Sequence, residues 1–191
     1  MVRGKISAFV KAALILFVIA VLLMYIIYEM PFMKRRAYPL RYSDYIIKYS
    51  GKYHVDPYLV MSVIWVESKY NCDATSQKQA RGLMQITPET GEWIAGKMGI
   101  KDYKDELLYD PNINIQIGCW YLNNLHKQFN GDIKLVLAAY NGGMGNVRKW
   151  LKDDKYSKDG KNLDYIPFKE TREYVEKVLD AYKEYKKLYN I

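Results

Sequence analysis

A chain of 191 residues that is half hydrophobic, 15% aromatic and 26% charged has room for one compact domain with a real core. Its formal net charge of +8 is unevenly spread: residues 1–36 hold six Lys/Arg against one Glu, leaving 23 basic and 20 acidic residues in the remainder, a net of +3. Such a mildly basic domain suits a polyanionic surface such as a cell wall or lipid headgroups and lacks the concentrated Lys/Arg face of a nucleic-acid binder. At the N-terminus, Arg3, Lys5 and Lys11 precede an uncharged run from Ala12 to Tyr28, "AALILFVIAVLLMYIIY". As a helix the run is about 25 Å long, nearly a bilayer core. A cleavable signal peptide has a shorter apolar region closed by small residues, whereas "YEMPFMKRR" follows here, so an uncleaved anchor over about residues 9–28 is expected. Charge does not orient it, because Lys34, Arg35, Arg36 and Arg41 match the basic residues on the other side.

Beyond the anchor the punctuation is helical. "VDPYLVMSVIWVES" opens with Asp56 as N-cap and Pro57 at the first helical position, and predicts a helix to about Ser68. "ITPETGEWIAGKMG" repeats the device with Thr87 and Pro88 and ends near Gly99. "YDPNINIQIGCWYLNNLHKQFNG" repeats it again with Asp110 and Pro111, ending at Gly131. "DIKLVLAAYN" predicts a helix that stops at Gly142 and Gly143, "NVRKWL" a short one, and the charged stretch Lys152 to Asp164 a loop. The chain closes with "KETREYVEKVLDAYKEYKKLYN", where Tyr174, Val178 and Ala181 share a face. No strand pair and no tandem repeat is evident.

Cys72 and Cys119 permit one disulfide, although Cys119 sits in an apolar helical pattern that suits a free core thiol. With no C-x-x-C and only His54 and His126, a zinc site is not expected. No G-x-S-x-G or H-E-x-x-H motif suggests a peptidase.

One charge breaks this pattern. Glu67 follows Ile64 and Val63 by three and four residues and Val60 by seven, so it shares the face that those residues turn to the core. Apolar surroundings and the negative end of the helix dipole both disfavour its charged form and raise its pKa. A carboxylic acid that keeps its proton near neutral pH is what protonation of a glycosidic oxygen requires. The bland alternative is a helix-end glutamate paired with Lys69.

After "ES" (Glu67, Ser68) come Ser76, "GLMQ" (Gly82 to Gln85), "AYN" (Ala139 to Asn141) and "ETREYV" with Tyr174, in that order. Together with "GCWYLNNL" and "LAAYNGG" they resemble the ordered motifs of the lytic transglycosylases related to goose-type lysozyme, over about Tyr45 to Tyr189. The resemblance implies a mainly α, lysozyme-like single domain, residues 37–191, preceded by a tail and one transmembrane helix in residues 1–36. It implies that Glu67 is the catalytic acid/base, and that Ser76, Met84, Gln85, Tyr140, Asn141 and Tyr174 bind substrate. Ser76 would hold the sugar's N-acetyl group, Met84 and Gln85 line the cleft, and Tyr140 orient the acid or the sugar. Tyr174 would close the site.

The implied reaction cleaves the bond between N-acetylmuramic acid and N-acetylglucosamine in peptidoglycan and leaves a 1,6-anhydromuramoyl end, with no cofactor. The alternatives are a hydrolytic muramidase, which needs a second carboxylate such as Glu89 or Glu92, and a non-catalytic glycan-binding module. The expected partners are peptidoglycan strands and, through the N-terminal helix, the cytoplasmic membrane. A monomer with its domain on the cell-wall side of that membrane is expected.

Overall fold

In a computed structural model the backbone is described for residues 2–191 and side chains from Ala8 onward, so Met1 and the flanking Arg3 and Lys5 side chains lie outside the described residues. The chain divides into two units, one up to Pro39 and one from Leu40 to Ile191. The first holds helix α1 (Val2–Glu29) and the short α2 (Pro31–Ala37). From Ala8 to Glu29, 22 residues, α1 is long and apolar enough to cross a membrane, with a mean hydropathy of 2.8 in its most apolar 18-residue stretch, and its large side chains are exposed. At the turn into α2, Lys34 pairs with Glu29 at 3.2 Å and lies over the Tyr28 ring at 4.7 Å.

The second unit is helical, with only isolated bridges at Thr75, Arg81 and Ile86. It comprises α3 (Ser43–Tyr53), α4 (Pro57–Ser68), α5 (Pro88–Met98), a 3-10 turn at Asp105–Tyr109, α6 (Pro111–Gln128), α7 (Ile133–Gly142), α8 (Met144–Trp150) and α9 (Lys169–Leu188). The expected caps are made: Asp56 accepts from Tyr58 N at 2.8 Å, Thr87 from Thr90 N at 3.3 Å and Asp110 from Ile113 N at 2.9 Å. α6 stops at Gln128, short of the expected Gly131, because Phe129 already leaves the helical conformation and Asn130 turns left-handed. α2, α3 and the 3-10 turn had no clear cap or period in the sequence.

α4 is the central element. Leu59, Val60, Met61, Val63 and Ile64 are buried, and the helix packs against α3 and α9. α6 packs against α3, α5 and α7, while α7 also meets α8 and α9. Cys72 and Cys119 are both free thiols, the second buried in α6.

The segment between α4 and α5 has almost no regular structure, yet its polar groups are tied down. Asn114, wholly buried in the first turns of α6, accepts from Met84 N at 2.8 Å and donates to the carbonyls of Leu108 at 2.7 Å and Arg81 at 3.0 Å. Ser68 donates to Leu83 O at 2.8 Å, and Gly82 N donates to Ala74 O at 2.9 Å. Gly82 has φ +74°, and a Cβ there would lie 2.0 Å from Leu108 O, so no other residue fits. Gly118 in mid-helix serves the same loop: Met84 Sδ lies 2.1 Å from where its Cβ would be.

Replacing Asn114 with Ala removes the partner of Leu108 O and of Met84 N–H in the interior, while Arg81 O keeps its bond from Ile86 N at 3.1 Å. At about 1–3 kcal/mol for each such group, Asn114→Ala should lower stability by roughly 2 kcal/mol or more. Denaturant unfolding of the detergent-solubilised chain would measure it, and a loss under about 1 kcal/mol would mean that water or a neighbour replaces the amide.

Candidate active site

Glu67 is the next-to-last residue of α4, half-buried where the helix reaches the surface. The chain then reverses through Lys69 and Tyr70, both in the left-handed region at φ 52° and 65°. Lys69 does not neutralise the carboxylate: its Nζ lies over the Trp65 ring, 2.8 Å from the centroid. The Glu67 carboxyl is pushed up to about 7, first by desolvation and secondarily by the negative charge of Glu170. The Tyr174 hydroxyl acts in the opposite sense, as a donor that favours the carboxylate. That hydroxyl is buried and makes no hydrogen bond within ordinary geometric limits, so its interaction with Glu67 is an approach and not a closed contact.

A cleft of about 410 Å³ opens beside Glu67, with Ser76, Gln85, Tyr140 and Asn141 among its walls. The loop pinned by Asn114 supplies the first two. Ser76 Oγ accepts from Ala80 N at 3.1 Å, which leaves its own proton to give to a ligand. Gln85, at φ 47°, spends its amide N–H groups on Ala74 O and Gly82 O at 3.1 and 2.9 Å, leaving its side-chain oxygen as an acceptor. Asn141 comes from the end of α7, and its amide has no partner among the described residues.

Two of the expected residues make contacts that the sequence did not specify. Met84 is wholly buried and forms no part of the cleft wall, because its side chain fills the space above Gly118. Its contribution is through the backbone, where the Tyr140 hydroxyl donates to Met84 O at 2.8 Å. Tyr140 therefore spends its proton on the loop rather than on Glu67 or a sugar. Burial, and then the Glu67 charge, keep its ionisation well above the ordinary range, so it remains a neutral hydroxyl.

Tyr174 lies on α9 and lines a second depression with Trp65, Lys69, Glu173 and Lys177. Glu67, Asn141 and Glu170 border both cavities, so the acid stands at their junction.

Glu170 was not expected. It precedes Tyr174 by four residues, one helical turn, within the "ETREYV" segment, and this spacing was the only sign that both face the same site. Glu170 pairs with Lys78 at 3.6 Å, and both side chains are more than two thirds exposed, so the pair contributes little to stability. Glu89 and Glu92, the candidates for a second carboxylate, are exposed on α5 and absent from the cleft walls. Among the described residues no group of three or more His, Cys, Asp and Glu side chains is arranged to hold a metal ion. What the arrangement offers is one acid that exchanges its proton near neutral pH, beside a polar cleft.

Residues 44–163 match the family model described as the transglycosylase SLT domain. The chain is 37% identical over 149 residues to the soluble lytic murein transglycosylase of Salmonella typhimurium, a match covering 76% of this chain and 23% of that protein. It is 30% identical over 175 residues to the membrane-bound lytic murein transglycosylase C of Edwardsiella ictaluri, covering 78% of this chain and 47% of the relative. The crystal structure of the 70 kDa soluble lytic transglycosylase from Escherichia coli superimposes with a TM-score of 0.73 at 32% identity, over 81% of this chain and 25% of that one. The chain thus spans about a quarter of the length of the soluble relatives it matches.

The raised Glu67 carboxyl has a consequence for stability. Above pH 7 the folded chain holds a desolvated negative charge that costs nothing in the unfolded chain. As pH falls through about 7 the folded chain takes up a proton, which the unfolded chain does only near an ordinary glutamate value of about 4.5. Stability from this group therefore rises as pH falls from 7 towards 4.5. Glu67→Gln should unfold at a higher temperature than the parent chain at pH 8, by the equivalent of roughly 1–3 kcal/mol, with most of the gap gone at pH 5. Equal stability at pH 8 would show that Glu67 is well solvated.

Proposed function

The chain belongs to the transglycosylase SLT family, and we propose that it is a membrane-anchored lytic transglycosylase that cleaves peptidoglycan strands without consuming water. Its bond is that between N-acetylmuramic acid and N-acetylglucosamine, and its product carries a 1,6-anhydromuramoyl end. The observation that carries this reading is Glu67 at the cleft junction, desolvated so that its carboxyl is pushed up to about 7, while the other carboxylate there, Glu170, is exposed.

Protonated Glu67 gives its proton to the glycosidic oxygen as the C–O bond breaks. The muramoyl N-acetyl oxygen attacks the anomeric carbon, and the C6 hydroxyl then displaces it while returning its proton to the Glu67 carboxylate. A group that must both give and accept a proton works best with a pKa near the working pH. Tyr174, which favours the carboxylate, assists the first transfer by stabilising the charge that Glu67 acquires. Ser76 and Asn141 donate to the sugar's acetamido and hydroxyl groups, and Gln85 accepts from them. Tyr140 keeps the loop and the acid in register through Met84 O.

A hydrolytic muramidase is the second reading, and the presence of Glu170 in the cleft favours it, since a base on the far side of the bond could activate water. The exposure of Glu170, whose side chain is more than two thirds open to solvent, favours the lyase, because a carboxylate that activates water has to be held against the bond. Digestion of purified peptidoglycan in ¹⁸O-labelled water separates the two. Unlabelled anhydromuramoyl ends are expected, whereas labelled reducing ends would replace the lyase with the muramidase. Glu67→Gln should cost at least about 10²-fold in rate with the fold retained.

Residues 1–36 act as the anchor, and 37–191 as the catalytic domain on the wall side of the cytoplasmic membrane. The apolar length of Ala8–Glu29 supports this, as does the relationship to membrane-bound lytic murein transglycosylases. Full-length protein should stay with membranes through high-salt and alkaline washes. Recovery of a secreted form beginning near Met30 to Ala37 would instead identify α1 as a cleaved signal.

A further inference from the structure

Tyr140 does not stand alone at the cleft wall. Its ring lies 5.3 Å from that of Tyr121 on α6, tilted by 44°. Tyr121 in turn receives the edge of Trp93 at 6.3 Å and 86°, and Trp93 meets Trp120 edge-on at 5.5 Å and 80°. Two ring contacts thus link Tyr140 of the catalytic cleft to an indole that is 42% exposed, and a third braces that indole against Trp120. The backbone follows the same course: Thr87 lines the cleft, and α5 begins at the next residue and carries Trp93 on its second turn.

An isolated exposed aromatic needs no explanation, but a ring braced by two others and linked through Tyr121 to a residue of a polar cleft is a different object. The two edge contacts hold the indole in place, so little side-chain freedom is lost when a ligand lies on it. The indole is 42% exposed, and its π system is electron-rich and apolar. A pyranose ring presents the complementary surface, a patch of axial C–H groups with slight positive charge, while its hydroxyls remain in water at the rim. The ligand class that runs on from the cleft and offers such a surface at every unit is the glycan strand itself.

We propose that Trp93, supported by Trp120 and Tyr121, is a distal sugar subsite on which a pyranose of the uncleaved part of the strand stacks. The inference rests on the reading of the cleft as a glycan site. Its role is to hold long strands in register with Glu67, so its contribution grows with substrate length. The depression on the other side of Glu67, bounded by Lys69, Glu173 and Lys177, takes the opposite end of the strand.

The test uses the full-length chain in detergent carrying Glu67→Gln, so that ligand is not consumed, with peptide-free peptidoglycan disaccharides and octasaccharides as ligands in calorimetric titration. Adding Trp93→Ala should weaken octasaccharide binding about ten-fold and leave disaccharide binding within about two-fold. Trp93→Tyr should restore most of the affinity, since it keeps a stacking face. With active enzyme, Trp93→Ala should raise KM for long strands at nearly unchanged kcat.

Unchanged octasaccharide affinity overturns the subsite. So does equal weakening for both ligands, which would mean that Trp93 only shapes the cleft, and so does failure of the parent chain to bind either oligosaccharide. A lowered unfolding temperature in Trp93→Ala that Trp93→Tyr rescues without rescuing octasaccharide binding would assign the ring to packing and also overturn it. The cleavage reaction is judged separately, from the products that the unmutated enzyme releases from whole peptidoglycan: absence of cleavage with intact length-dependent binding would sink the enzyme and spare the subsite.

Discussion

The carboxamide of Asn114 holds the site together. The segment between α4 and α5 carries six of the residues that line the cleft, and it has no helix or sheet of its own to satisfy its backbone. A loop that passes over a core must find partners for each buried N–H and C=O. Asn114 supplies two of them, for Met84 N and Arg81 O, from one rigid group on α6, Ser68 supplies a third from α4, and Tyr140 a fourth from α7. Three helices therefore clamp one loop, and the loop carries Ser76 and Gln85 to the same cleft as Glu67. Gly82 and Gly118 are the steric counterpart, since both omit a Cβ where that clamp brings groups too close for one.

With the loop fixed, the chemistry is set by where α4 ends. Its middle is surrounded by apolar side chains, and Glu67 emerges one residue before the helix stops, neither in the core nor in open water. Desolvation there is the leading cause of the raised pKa, with Glu170 adding to it and Tyr174 moderating it. A half-buried acid with no compensating cation is unfavourable for the folded chain above neutral pH. Sites that need reactive groups accept such costs, and the well-packed core around α4 and α9 offsets this one. The same core lets Tyr174, anchored on α9, reach the acid from a helix distant in sequence.

From Leu40 onward the large apolar side chains are mostly interior, whereas those described for α1, from Phe9 to Tyr28, are exposed on a helix long and apolar enough to cross a membrane.

Much of this was legible in the chain because the signals are local. Asp56, Thr87 and Asp110 announce their helices through hydrogen bonds two or three residues away, the run from Ala12 to Tyr28 announces α1 by composition, and Glu67 stands out as a charge on an apolar face. The order of "ES", "GLMQ", "AYN" and "ETREYV" pointed to the family before any contact was known. What the chain alone left undecided depends on approach across long separations. That Met84 is interior and Tyr140 binds its carbonyl follows from packing α7 and Gly118 against the loop; that Glu170, not Glu89 or Glu92, is the carboxylate near Glu67 follows from docking α9 beside α4. Asn114 reads in the sequence as one more polar residue in the first turns of a helix. Its burial, and with it the shape of the site, exists only once three helices close around a loop, since no residue within its own helix can show which distant carbonyls it will meet.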